Sequence, residues 1–280
     1  MNQLQQAIKA YKRTYPRRKT LPRPPVPLFP KGIERTYARE LLKFVADMQA
    51  QFRRIFRDQP APRLDSTEFR QDNDEIFRRI QEFELSIERE LSESKARQML
   101  EAKSRDISGH NWGQVSKQTM AVVGISIPSY EPKVHEMMKL WVEENVGLID
   151  SIKAETRNKL KTRILEGVQA GQRWETLVAG IERDLGGQKG VFKSVRNRAR
   201  LIARDQVASL NGNLARQRMT SVGGTKYKWL ATMDQRTRDS HRQRNAKIYT
   251  WKNPKHGGGH PGNEINCRCV AQMVFEEDEE

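Results

Sequence analysis

Apolar residues step by threes and fours through most of the stretch from Ile33 to Met219, and that spacing commits the chain to long amphipathic helices. Ile33, Tyr37, Leu41, Phe44, Val45, Met48, Phe52 and Ile55 mark a first stripe, which ends before Pro60-Ala61-Pro62. A second helix is predicted from Asp65, with Glu68 completing a capping box and Phe69, Ile76, Phe77, Ile80, Phe83, Ile87 and Leu91 on one face. The two predict a helical hairpin, each stripe burying the other. Over residues 106–131 the regularity fails, and SGHNWG and ISIPSYEP predict a connector holding a short helix from Val115 to Val123. Further helices are expected over Val134–Ala170, broken near Gly147, then Trp174–Leu185 and Ser194–Met219.

Past Gly223-Gly224 the period changes from helical to two. Residues 226–232, 248–251 and 269–275 each read as a short strand. The expected fold is mainly α with a small C-terminal α+β unit: long helices and helical hairpins followed by a small antiparallel sheet. The divisions that follow are a basic Pro-rich N-terminal arm (1–32), a helical hairpin region and connector (33–130), a domain over 131–275 (helical 131–220, β-rich head 221–275) and an acidic tail (276–280). Six prolines between Pro16 and Pro30 predict an extended arm, either a tether or a disordered tail.

Charge is distributed unevenly. The whole chain carries +16, with residues 1–58 at +10, residues 191–274 at +13 and a nearly neutral middle. Two basic regions suit a polyanion such as DNA, and also suit solubility or acidic protein partners. Arg17, Arg18 and Lys19 on the arm, and Arg196, Arg198, Arg200 and Arg204 on the last long helix, are the candidate phosphate contacts. A solvated helix face is the plainer reading of those arginines. No apolar run approaches the ~20 residues a membrane span needs. The first residues lack a signal-peptide core, and two cysteines one residue apart do not form a secreted disulfide framework. A membrane partner is not expected.

The chemistry-bearing residues gather near the C-terminus. Cys267 and Cys269 are two apart, so a strand would place both thiols on one face. With His241 and His260 they make the tetrahedral donor set zinc favours, although the spacing is not that of a standard finger. The alternative is that the thiols pack as small apolar groups while the histidines bond across loops. Asp234, Arg236, Arg238 and His241 form a second polar group. Either an ion pair pins that loop, or His241 serves a hydrolase as base or ligand. No complete catalytic motif accompanies them, and an enzyme is not the expectation.

The runs RARLIARDQVASLNGNLARQRM, YKWLATMDQRTRDSHRQRNAKIY and HPGNEINCRC resemble the phage Mu F-like minor head proteins, the phage head morphogenesis family, over roughly residues 130–272. The matching positions are Trp229, Asp234, Arg236, Arg238, His241, His260, Pro261, Cys267, Arg268 and Cys269. The resemblance implies a minor virion component inside the capsid near the portal, made in the host cytoplasm. Its implied partners are portal protein, double-stranded DNA and other capsid or scaffolding proteins. Its implied roles are head assembly, genome packaging and ejection. Two rivals remain: a metal-dependent nuclease or other phosphoryl-transfer hydrolase, and a free-standing DNA-binding protein.

Overall fold

The structure is a computed structural model that describes residues 2–62, 69–90, 92–128, 131–186, 191–253 and 259–276. Its elements are α1 (Gln3–Thr14), α2 (Lys31–Phe52) with a π-helical turn at Arg53–Arg57, α3 (Phe69–Glu90), α4 (Glu93–Val123), α5 (Pro132–Gln169), α6 (Trp174–Gly186), α7 (Val191–Ser221), β1 (Lys226–Leu230), α8 (Asp239–Arg244), β2 (Ile248–Thr250) and β3 (Val270–Met273). The expected fold class is what is found: long helices, then a small antiparallel sheet. The chain divides into two compact units. One comprises Thr36–Leu100 and Glu143–Ala203; the other comprises Met1–Arg35, Glu101–Val142 and Arg204–Glu280.

Among the described residues the regular structure of the first unit is all helical and is built on the stripes. Tyr37, Leu41, Val45, Met48 and Phe52 of α2 are buried, as are Ile76, Ile80, Phe83 and Ile87 of α3, while Phe77 falls off the stripe and is half exposed. The predicted start of α3 at Asp65 lies outside the described residues. An aromatic cluster sits in this core. Phe52 stacks on Phe56 at 5.0 Å, Phe83 meets both edge-on, and Trp174 lies 6.1 Å from Phe56. Helix α5 passes Gly147 without the expected break. Val146, Ile149 and Ile152 are buried on either side, and that packing outweighs the ~1 kcal/mol a helical glycine costs relative to alanine.

The second unit holds the sheet, ordered β2-β1-β3 and antiparallel throughout. Tyr227 faces Tyr249, and Trp229 faces Ala271. Tyr227, Trp229, Ala271 and Met273 turn into a core closed by Val115 of α4, Met219 of α7 and Leu4 and Ile8 of α1. Helix α1 corrects the expectation of a separate arm. Asn2 caps it by accepting from the Gln5 N–H, and Leu4 donates to the Val222 carbonyl. Its apolar pair Leu4/Ile8 finds a core only because the sheet supplies one. Residues 15–30 beyond Thr14 do lack regular structure, yet they are pinned. Gln272 donates to the Pro24 and Pro25 carbonyls, Leu28 donates to Gln114, and His110 bonds the Leu28 carbonyl.

A second correction concerns residues 106–114. Helix α4 runs unbroken from Glu93 to Val123 through SGHNWG. The polar residues there have tertiary partners: Asn111 donates to the carbonyl and side chain of Asn211 on α7, and the buried Arg218 bonds Asn111, Ser108 and Glu131. Such a buried network restores what local propensity lacks. Gln118 of the same helix accepts the Met273 N–H on β3.

Candidate metal centre

The loop from 259 to 269 is seated on α7 by two glycines. A Cβ on Gly212 would fall 2.2 Å from the Pro261 carbonyl oxygen, and one on Gly262 would fall 2.4 Å from the Ala208 carbonyl oxygen. Gly262 also has φ +93°, a conformation other residues adopt only at a cost. The close approach buries Pro261 and delivers Cys267 and Cys269 just ahead of β3. The facing wall comes from the loop after β1. The Asp234 carboxylate accepts from the Arg236 N–H and the Thr237 hydroxyl, and Arg242 donates to the Asp234 and Thr237 carbonyls. This turn launches the short helix α8, which carries His241 inward to 2 % exposure.

His241 Nδ1 lies 3.4 Å from Cys269 Sγ and 3.7 Å from Cys267 Sγ. Zinc at about 2.3 Å from sulfur and 2.0–2.1 Å from nitrogen, with a tetrahedral angle, separates S and N by roughly 3.6 Å. The three ligand atoms lie within 4.8 Å of one another, close enough to share one ion. On the far side of the ring, His241 Nε2 meets Glu264 at 2.9 Å. A carboxylate there fixes the ring with Nε2 as donor and leaves the Nδ1 lone pair for the thiols. Glu264 is itself held by Arg244 at 2.7 Å and Arg238 at 3.2 Å. Trp229 meets the imidazole edge-on at 5.3 Å, and the Arg244 guanidinium lies over the indole.

Electrostatics set the two thiols apart. Cys267 is drawn down to about 6, first by the hydrogen bond with Cys269, helped by the Gly262 and Cys269 N–H groups and by His241, and opposed by burial. Cys269 is pushed upward by the same hydrogen bond, by burial and by the Cys267 charge. The pair therefore holds one thiolate readily and a second only with a compensating cation. Burial also works to raise Glu264, but the hydrogen bonds from Arg244 and His241 prevail and hold it below the usual carboxylate range. Asp234 follows the same pattern: burial raises it, while the Arg236 N–H, Thr237 and Arg268 bring it below its ordinary value.

A cavity of about 270 Å³ opens on this group, lined by His241, both cysteines, Thr232, Asp234, Thr237, Asn266 and four arginines, Arg204, Arg236, Arg238 and Arg268. Arg268 spans Asp234 and Glu34, and Arg204 reaches Glu34 and Asn266. His260 stands apart from the three ligands. Its Nδ1 bonds the Tyr227 hydroxyl at 3.0 Å, and its ring lies against Trp251. The sequence reading grouped it with the cysteines and passed over Glu264. The available signal for Glu264 was that it is the one carboxylate between His260 and Cys269.

The proposed phosphate contacts divide. Arg196 donates to Gln49, Arg198 to Glu155 and Ser151, and Arg204 to Glu34 and Asn266. Arg200 is exposed and, among the described residues, reaches Asn197 at 3.5 Å. Arg17, Arg18 and Lys19 are exposed, with Arg18 bonding the Tyr11 hydroxyl.

Residues 158–272 match the family described as phage Mu protein F like protein, a stretch that contains α7, β1, α8, β2 and most of β3 together with His241, Cys267 and Cys269. The chain is also similar to a protein of Haemophilus influenzae (strain Rd) described only as uncharacterized, with 33 % identity over 173 residues. That alignment covers 61 % of this chain and 37 % of the relative, so the chain spans little more than a third of the protein it matches. No solved structure matches.

Proposed function

We propose that this chain is a minor head protein of a tailed phage or prophage, lodged inside the capsid near the portal. In this reading it contacts portal, capsid or scaffolding proteins and double-stranded DNA during assembly, packaging and ejection, and it turns over no substrate. The family match over residues 158–272 carries the reading. The net charge of +16 supports a DNA-filled surrounding, where many weak phosphate contacts add and weaken with salt. Exposed Arg17, Arg18, Lys19, Arg200 and Arg216 are the side chains for that role. Among the described residues no helix is long and apolar enough to cross a membrane. Mass spectrometry of purified particles, with and without genome, should find the chain in both; absence from particles, or normal infectious virions after deletion of its gene, overturns the proposal.

Within that role His241, Cys267 and Cys269 hold zinc as a folding element. Elemental analysis should return about one zinc per chain, and chelation should lower the melting temperature by an amount Cys267→Ser reproduces. A second reading, a metal-dependent hydrolase acting on phosphoesters, draws on the same three ligands because they open on a cavity. DNA cutting by zinc-loaded protein that His241→Ala abolishes would establish it in place of the first.

A further inference from the structure

We infer that the zinc held by His241, Cys267 and Cys269 keeps its fourth coordination position open to the arginine-lined cavity and takes there a small oxyanion of the phosphate class. The inference rests on the zinc reading above and extends it. Structural zinc sites close their tetrahedron with four protein ligands, whereas a site with three keeps a position for an outside ligand. Among the described residues the ligating group comprises three side chains, and His260 is engaged with Tyr227. All three ligands line the 270 Å³ cavity, which has room for several waters at about 30 Å³ each.

The balance of charge selects the guest. Two thiolates neutralise Zn²⁺. Of the four lining arginines, Arg204 and Arg268 are tied to Glu34, Arg268 also reaches Asp234, and Arg238 is tied to Glu264. Arg244 also pairs with Glu264, so Asp234, Glu34 and Glu264 face five guanidinium groups and the surroundings stay cationic. Arg236 contributes to this: the side chain is exposed and lines the cavity, its backbone N–H bonds Asp234, and its charge helps hold the Asp234 carboxylate down. A guanidinium facing a metal with a free position matches an oxyanion, with one oxygen on the metal and others on the fork of donors. Thr232 and Asn266 add neutral polar lining.

Cobalt(II) substituted for zinc in the full chain reads both the ligands and the open position. Thiolate-to-cobalt absorption and tetrahedral ligand-field bands should appear on loading. Inorganic phosphate should then shift the ligand-field bands saturably and leave the thiolate absorption in place. Arg236→Ala should raise the half-saturating phosphate concentration about tenfold or more, the loss expected for one charge-assisted hydrogen bond. A 5′-phosphorylated dinucleotide that acts where its unphosphorylated form does not would extend the guest to phosphate esters; a response to inorganic phosphate alone restricts it to the free ion. Bands indifferent to phosphate would mean a closed site and overturn the inference while leaving the zinc reading intact. Failure to take up cobalt or zinc at all would overturn both.

Discussion

The two aromatic clusters of this protein are built to opposite rules. Phe52, Phe56, Phe83 and Trp174 form a core in which Trp174 Nε1 donates to the Phe56 carbonyl. Tyr227, Trp229, Tyr249 and Trp251 pack with imidazoles: His260 lies against the touching pair Tyr227 and Trp251, and His241 stands against Trp229. The first cluster mainly hides surface, with the buried Arg79 guanidinium lying 5.5 Å from the Trp174 ring. The second also positions titratable groups, so each ring there answers to geometry as well as to area. Chemistry is therefore expected in the sheet-bearing unit.

Truncating one ring in each cluster is the sharpest test. Phe83→Ala and Trp229→Ala should each cost about 3–5 kcal/mol in urea unfolding. Trp229→Ala alone should also weaken zinc retention in a chelator competition, because His241 loses its wall; equal zinc affinity in both variants would erase the distinction. Ile8→Ala comes next, at about 2–5 kcal/mol. Its loss of hydrogen-exchange protection should fall in α1 and β3 and spare α3 and α6. Tyr227→Phe removes only the bond to His260 and should cost about 1 kcal/mol, leaving zinc content unchanged. A large drop in zinc would restore His260 to the ligand set.

The smallest expected effect is a pH dependence in the all-helical unit. The hydrogen bond from Lys159, with Arg198 adding to it, holds Glu155 below the usual carboxylate range against the pull of burial. A carboxylate lowered in the folded state contributes stability above its unfolded value, and that contribution is lost as pH falls through the folded one. The difference in melting temperature between the protein and Glu155→Gln should thus be widest above about pH 5 and shrink in acid. A difference that widened on acidification would contradict the assignment.

These rules also explain what could be read from residues alone. A helical core needs only a stripe, so Tyr37 through Phe52 and Ile76 through Ile87 were legible from spacing. The strands were legible within a residue or two because the period changes to two after Gly224. Residues 106–114 were not, since Asn111 looks like a helix breaker until Asn211 is seen opposite it, a hundred positions away. Helix α1 was hidden for the same reason: its partners, Val222 and the sheet, lie at the other end of the chain. At the site, residue type and spacing exposed the cysteines and His241. They could not rank His260 against Glu264, because that choice depends on which side of Trp229 and Tyr227 each residue falls. The partners of Arg196, Arg198 and Arg204 on α7 were not legible because Gln49, Glu155 and Glu34 approach from distant segments.

The seating of Leu4 and Ile8 among residues near 222 and 273 has a temporal consequence. A ribosome making roughly 5–20 residues per second releases α1 some tens of seconds before its socket exists. Through that interval two aliphatic side chains face water with nothing to cover them, an open invitation to a chaperone or a neighbouring nascent chain. The sheet-bearing unit is thus finished by a helix made long before the rest of its core.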